Sequence, residues 1–346
     1  MLAVDMQLSH VELSEVDCRD LTRWILEVMA AREVFKRVIP PLSTRLHKGQ
    51  SGRIGVVGGS LEYTGAPYYA AMAALYTGVD LCHVFCAQDA APAIKCYSPE
   101  LVVHPSIVSK RDCEHLNPVA IDNCIETAVD RMTPLLCRLD SLVVGPGLSR
   151  DPVMLAMAKR IVEKVISLGT PLVIDADGLC LVEQTPGLVM GYQNVILTPN
   201  TNEFKRLCHS VNIDASENCE VAAVQLSKAL GSVTILCKGS KDLIATGDDI
   251  LFVSDPTSLR RCGGQGDVLA GILCAFLAWR NGYQSGRWTA QDQSTDISLM
   301  IVASNASSFA RKCAALAFEK HKRSIVASSI LKEIGPAFDT LYDDEL

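Results

Sequence analysis

No apolar run in this chain approaches the ~20 residues that a membrane-spanning helix requires. This holds although 49% of its 346 residues are hydrophobic and its mean hydropathy is +0.21. Positive charge is not in excess: 32 Lys and Arg stand against 39 Asp and Glu, a net charge of −7. That balance argues against a nucleic-acid partner, because phosphate-tracking surfaces are basic. The fourteen cysteines contain no CxxC pair. Most, such as Cys82, Cys86, Cys137, Cys180, Cys237 and Cys274, lie inside apolar runs. They read as small buried hydrophobes in a reducing compartment rather than as a disulfide framework or a zinc site. The histidines form no HExxH or HxH cluster, and His83, within Leu81-Cys82-His83-Val84-Phe85, reads as a strand histidine with a satisfied hydrogen bond. There is no GxxxxGK[ST] loop and no internal repeat. The N-terminus carries Asp5, Glu12, Glu15, Asp17, Asp20, Glu27 and Glu33, unlike an acid-poor presequence, and has no apolar signal core. The expectation is a cytoplasmic protein with no membrane partner. Residues 1–34 are expected to form a helical extension with Trp24, Ile25, Val28 and Met29 on its buried side, and residues 35–340 one domain.

What is present is an alternation of short apolar runs with helical patterns. The runs predict strands over Arg53–Val57, Asp80–Cys86, Leu101–His104, Ser141–Gly145, Pro171–Asp175, Asn194–Thr198 and Val233–Cys237. A hairpin, Leu243–Ala245 and Ile250–Val253, turns through Gly247-Asp248. Helices are predicted over Tyr68–Leu75, over Pro152–Leu168 with Asp151 as N-cap, and over Glu220–Leu230. From Asp267 to Phe338 helices dominate, interrupted by a polar stretch, Gln284–Thr295, that reads as a surface insertion. Near-continuous apolar strands between helices indicate an α/β fold with a mainly parallel central sheet and helices on both faces. Ligands of such sheets sit beyond the carboxyl ends of the strands.

The polar residues fall at those ends. Gly58-Gly59-Ser60 follows the first strand, and its glycines permit close backbone approach by a ligand, or make a plain strand-to-helix turn. Gly145-Pro146-Gly147-Leu148-Ser149-Arg150 imitates GxGxxG but ends in Arg150, so it is a weak dinucleotide fingerprint. Asp175-Ala176-Asp177-Gly178 offers two carboxylates for ribose hydroxyls or a hydrated metal, or an Asx-capped turn. Asn200 and Glu203 have capping-box spacing; they could equally lie near phosphates and position Mg²⁺ through water. Lys238, at the end of a buried strand and next to Gly239, is unfavourable there unless it meets an anion, which makes it a candidate for holding ATP phosphates as a point charge.

The most telling stretch is Arg260-Arg261-Cys262-Gly263-Gly264-Gln265-Gly266-Asp267, which leads into an apolar helix. Glycines before a helix free several N–H groups to converge, and the positive end of the helix dipole adds to them, so the site suits a phosphoryl group. Asp267 at the helix entrance could take a proton from an alcohol, or could simply cap the helix. One rim with a lysine, carboxylates, glycine turns and an anion-holding helix start reads as a nucleotide plus phosphoryl-acceptor site without a P-loop.

In order and spacing, His47-Lys48-Gly49-Gln50, Tyr63-Thr64-Gly65-Ala66-Pro67, Gly145-Pro146-Gly147, Asp175-Ala176-Asp177-Gly178, Thr198-Pro199-Asn200 with Glu203-Phe204, Lys238-Gly239 and Arg261–Asp267 form one set. This set resembles the ADP/ATP-dependent NAD(P)H-hydrate dehydratase family, a branch of the ribokinase-like superfamily, in its eukaryotic ATP-dependent form. The resemblance covers roughly Phe35 to Phe338. It implies a ribokinase-like sheet and a lyase that repairs nicotinamide cofactors, converting (6S)-NADHX or (6S)-NADPHX to NADH or NADPH with ATP and Mg²⁺. The hydrated dinucleotide is then expected at Tyr63, Thr64, Gly147, Asn200, Thr201, Asn202, Glu203, Phe204, Lys205, Arg206 and Asp267. ATP is expected at Lys238, Gly239, Ser240, Lys241 and Asp242, and at Leu259, Arg260, Arg261, Cys262, Gly263, Gly264, Gln265 and Gly266. The resemblance makes Asp267 the base and Gly264, Gln265 and Gly266 the groups that stabilise the transferring charge, with Mg²⁺ near Glu203 through water. Ser149 departs from the family pattern, which has glycine there; serine takes that place only with a negative φ or in a strained turn. A ribokinase-like kinase for a vitamin or sugar alcohol would use the same loop and aspartate but release a stable phosphoester. The long helical C-terminal third could serve a homo-oligomer interface.

Overall fold

Every apolar run singled out as a strand is one in the computed structural model, which describes residues 30–216, 218–288 and 296–342. Of the helical extension expected over residues 1–34, Trp24, Ile25, Val28 and Met29 lie outside the described residues, as do residues 289–295 of the polar stretch Gln284–Thr295. Residues 30–36 are helical (α1). Strands and helices then alternate: β1 (Arg53–Val57), α2 (Gly65–Thr77), β2 (Leu81–Ala87), α3 (Ala91–Tyr97), β3 (Val102–Ile107), α4 (Pro118–Leu136), β4 (Ser141–Val144) and α5 (Pro152–Ser167). They continue with β5 (Leu172–Ile174), α6 (Leu179–Gln184), β6 (Val195–Leu197), α7 (Thr201–Ser210), α8 (Cys219–Ala229) and β7 (Thr234–Cys237). The hairpin β8 (Asp242–Thr246) and β9 (Asp249–Val253) follows, and α9 (Gln265–Gln284), α10 (Leu299–His321), α11 (Ala327–Leu331) and α12 (Ile334–Tyr342) close the chain.

The strands form one sheet in the order β3-β2-β1-β4-β5-β6-β7-β8-β9. The pairs from β3 to β7 are parallel, and the hairpin adds two antiparallel strands at the edge. Successive side chains of a strand point to opposite faces, and here each face meets its own core. Ile54, Val56, Val143, Val173, Ile196 and Leu236 pack with α2, α9 and α10. Val57, Leu142, Val144, Leu172, Ile174, Val195, Leu197 and Ile235 pack with α4, α5, α7 and α8. Helices start where their caps allow. Asp151 accepts the N–H groups of Val153 and Met154 ahead of Pro152, which opens α5. His83 finds its partner in the neighbouring strand, with its Nδ1 3.0 Å from Nε2 of His104.

After β3 the chain crosses to the other side of β1, so the strand order reverses between β1 and β4. In an open parallel sheet, the crevice at the strand ends beside such a reversal is the usual ligand position.

Candidate active site

The turns at that crevice are locked to one another by backbone contacts. A Cβ on Gly58 would stand 2.0 Å from the Pro146 carbonyl oxygen, and one on Gly145 would stand 1.7 Å from that of Asp175. Gly59 donates its N–H to the Gly147 carbonyl at 3.1 Å. Gly147 has a φ of +64°, and a Cβ there would meet the Tyr63 carbonyl at 2.6 Å. Of the two readings of Gly58 and Gly59, the structure favours the turn: the group that comes close is the next turn of the chain. Ser149 occupies its glycine-type position with a φ of 72°, so the strained alternative is the one adopted. Its N–H is held by Asp177 Oδ2 at 2.9 Å, and Arg150 pairs with the other oxygen at 3.9 Å. Asp177 thus anchors the β4 turn.

Asp175 has a different task. It is buried, and its Oδ1 accepts both the Thr198 hydroxyl at 2.8 Å and the Lys238 ammonium at 2.6 Å. The anion that a lysine at this strand end requires is therefore supplied within the protein. Burial pulls Lys238 toward losing its proton, but Asp175, then Glu203 and Asp267, outweigh it and raise its pKa above the ordinary value. On the neighbouring strand end the capping box forms in full. Asn200 Oδ1 accepts the N–H groups of Asn202 and Glu203 at 3.0 Å each, and Glu203 Oε2 accepts the Asn200 N–H at 2.7 Å. Burial raises the Glu203 carboxyl above the usual range, against the opposing pull of Lys238.

The start of α9 keeps Asp267 at the helix entrance and removes the alternative that it caps the helix. The cap is Gly264, in the left-handed region with a φ of 88°, and no side chain caps the helix. A Cβ on Gly264 would meet Ala327 Cβ at 2.6 Å, so only glycine fits the turn. Asp267 therefore sits inside the first turn rather than at the cap. Its carboxyl is raised from 3.8 to about 7, first by burial and then by Asp175, with Lys238 pulling the other way and Asp177 adding a smaller rise. A carboxylate poised near neutral pH is matched to accepting a proton in a reaction. A Cβ on Gly266 would lie 3.5 Å from Lys238 Nζ, so the lysine reaches the first turn of α9.

A cavity of about 610 Å³ opens beside this centre. Of the expected residues it gathers Asn200, Thr201, Lys238, Gly239, Ser240, Asp242, Leu259, Arg261, Cys262, Gln265 and Gly266. Lys241, Arg260 and Gly263 are exposed to solvent, and Gly264 makes the turn that starts α9. Tyr63, Thr64 and Gly147 stand at the β1/β4 crevice, Thr64 with its hydroxyl 2.9 Å from that of Tyr97. Phe204 packs its side chain into the core, which leaves only its backbone for a ligand, and Arg206 pairs with Glu183 at 3.0 Å. Asn202 and Lys205 are exposed on α7. The cavity also takes in Thr257, Ser258, Leu269, Ser307, Ala310 and Arg311, none of which the sequence reading singled out. The last three come from α10, whose pattern carries no local mark of which turn meets a ligand.

The profile of the NAD(P)H-hydrate dehydratase family matches residues 54–336. The chain belongs to that family. Over 318 residues, 92% of this chain and 100% of the relative, it is 99% identical to the ATP-dependent (S)-NAD(P)H-hydrate dehydratase of Batrachochytrium dendrobatidis. It is 45% identical over 316 residues to the Homo sapiens enzyme of the same name, covering 90% of this chain and 84% of that one. Among solved structures, the ADP/ATP-dependent NAD(P)H-hydrate dehydratase of Bacillus subtilis, co-crystallised with ATP and Mg²⁺, superposes with a TM-score of 0.64 at 20% identity, over 90% of this chain and 97% of that chain. This NAD(P)H-hydrate dehydratase therefore has the ribokinase-like sheet expected of it, and no helix of the described residues is long and apolar enough to cross a membrane.

Proposed function

We propose that the enzyme dehydrates (6S)-NADHX and (6S)-NADPHX to NADH and NADPH by phosphorylating the ring hydroxyl with ATP and then eliminating phosphate. The names of its relatives support the substrates. The observation that carries the chemistry is the carboxyl of Asp267, poised at about 7, beside an uncapped helix start and the cavity that holds Lys238. Hydroxide leaves poorly and phosphate leaves well. Asp267 takes the proton of the ring hydroxyl while its oxygen bonds to the γ-phosphorus and the bond to ADP breaks. The N–H groups of Gly264, Gln265 and Gly266 and the Lys238 ammonium stabilise the transferring charge. The ring nitrogen lone pair then expels phosphate to give an iminium ion, the adjacent ring carbon loses a proton to the departing phosphate, which restores the dihydropyridine, and Asp267 returns the hydroxyl proton to solvent.

In this reading ATP occupies the cavity between the β7 turn and the start of α9, and the hydrated ring lies between Asp267 and the β1/β4 crevice. Among the described residues no three acids, histidines or cysteines gather into a protein-built metal site. Glu203, with Oε2 engaged by Asn200, suits a Mg²⁺ that arrives with the triphosphate and is touched through water. Bound there, the ion would neutralise phosphate charge. The free cysteines fit the cytoplasm as the working compartment, and the C-terminal helices are the face we assign to self-association.

The test is purified protein with ATP, Mg²⁺ and the S-hydrate, followed by NADH absorbance. Asp267→Asn is expected to lower turnover by roughly 10²–10⁴-fold while still binding ATP. A stable phosphoester on another alcohol, with no NADH formed, would identify a kinase instead.

A further inference from the structure

The α10 helix reaches across the sheet edge and ties two separate walls of the nucleotide cavity together. Arg311 is the centre of the tie. Its side chain is 9% exposed, and its guanidinium has three protein partners. Nε donates to the Asp255 carbonyl at 2.7 Å and one terminal nitrogen donates to the Ser240 carbonyl at 2.6 Å. The other terminal nitrogen lies 3.5 Å from Asp242 Oδ2. Two neighbours on α10 repeat the pattern. The Ser307 hydroxyl donates to Asp242 Oδ2 at 2.7 Å, and that of Ser308 donates to Asp255 Oδ2 at 2.7 Å. Asp242 in turn holds the Gly239 N–H on its other oxygen at 2.8 Å. Both oxygens of Asp242 are thus engaged by protein donors. Ser240 belongs to the turn after β7 that begins with Lys238, and Asp255 belongs to the segment after β9 that leads to Thr257 and Ser258; both walls line the cavity.

We infer that Arg311 is the positioning residue of the nucleotide site, fixing the spacing of the two walls by binding Ser240 O and Asp255 O from one guanidinium. A rigid planar fork can satisfy acceptors on both walls at once; a lysine ammonium, a point donor on a flexible stem, serves one wall and releases the other. The consequence is selective. ATP must lose affinity when the fork is lost, whereas none of the three partners of Arg311 belongs to the turns after β1 and β4.

The inference rests on the reading of this cavity as the ATP site, so wild-type binding is measured first, by titration with a non-hydrolysable ATP analogue and separately with NADPH. If the wild-type protein does not bind the analogue, that reading and the inference fall together. With binding established, Arg311→Lys is expected to weaken the analogue by about tenfold or more, the scale of losing a hydrogen bond from a charged donor. NADPH affinity, and kcat at saturating ATP, should stay within about threefold, a spread worth well under one kcal/mol. A buried arginine is also a folding risk, so the Ser307→Ala/Ser308→Ala double variant provides a second measurement that leaves the guanidinium in place but removes its neighbours; a smaller loss in the same direction, for ATP alone, is expected. Analogue affinity unchanged in the folded variants, or a parallel loss for ATP analogue and NADPH, overturns the role of Arg311 while leaving the nucleotide reading intact.

Discussion

Replacing Asp267 by asparagine should make the enzyme more stable as it makes it inactive. The carboxyl is raised from 3.8 to about 7 in the folded chain, so the folded state holds its proton more tightly than the unfolded state does. Below about pH 4 both states are protonated and nothing is lost. As the pH climbs through 7 the folded state must carry an ionised carboxylate in a poorly solvated place, and that stability disappears. A rise of about three pKa units corresponds to about 4 kcal/mol, and solvent reaching the partly open site screens some of it, leaving about 2–3 kcal/mol. Asparagine keeps the shape and removes the charge. Urea unfolding of Asp267→Asn and the parent at pH 8, 6 and 4 is the assay: the variant should be the more stable by about 2–3 kcal/mol at pH 8, with the gap closing toward pH 4. A variant that is less stable at pH 8, or a gap independent of pH, would refute the account of Asp267 as a carboxylate whose ionised form is disfavoured by its surroundings.

The same centre predicts that Asp175→Asn moves the acidic limb of the kcat/KM profile from about 7 down by roughly one pH unit, because a like charge facing Asp267 is removed; an unmoved limb would show that Asp175 does not act on the base. Ser149→Gly should stabilise the fold by about 1 kcal/mol by releasing a left-handed serine, read as a shift in urea midpoint. Gly271→Ala should destabilise by about 2 kcal/mol, since its Cβ would stand 2.0 Å from the Ala70 carbonyl where α9 crosses α2; unchanged stability would mean that the helices separate freely. Gly264→Ala should lower turnover with the protein still folded, because the helix start that gathers the N–H groups depends on a φ of 88°.

Much of this was legible in the residue order. The sheet was readable because strands buried on both faces appear as near-continuous apolar runs. The α7 start was readable because a capping box is a local device with a fixed spacing. Where the outcome depended on backbone conformation, the residue order left alternatives open: Asp267 at the helix entrance could also have been the cap, but Gly264 turns left-handed and takes that place. Where it depended on distant partners, only half could be inferred. The chemistry of Lys238 demanded an anion, yet the anion is Asp175, 63 residues away in the chain. Asp242 looked like part of a phosphate loop, but its carboxylate serves Gly239 and Ser307. Arg311 had no signal at all, since nothing local in a helix tells which turn will face a cavity assembled from other elements.

The interlocked turns at the β1/β4 crevice bear on how such an enzyme can acquire a new substrate. Where Gly58 faces Pro146, Gly145 faces Asp175 and Gly147 faces Tyr63, a side chain added at any one glycine collides with a backbone that is itself held by the next turn. Single substitutions there have no accessible neighbouring states, so these positions are poor ground for a mutational library. The exposed positions at the start of α7, Thr201, Asn202 and Lys205, carry no such constraint. Selection for a different hydroxyl acceptor would find its first useful steps on that helix, with the glycine turns changing late and only in company.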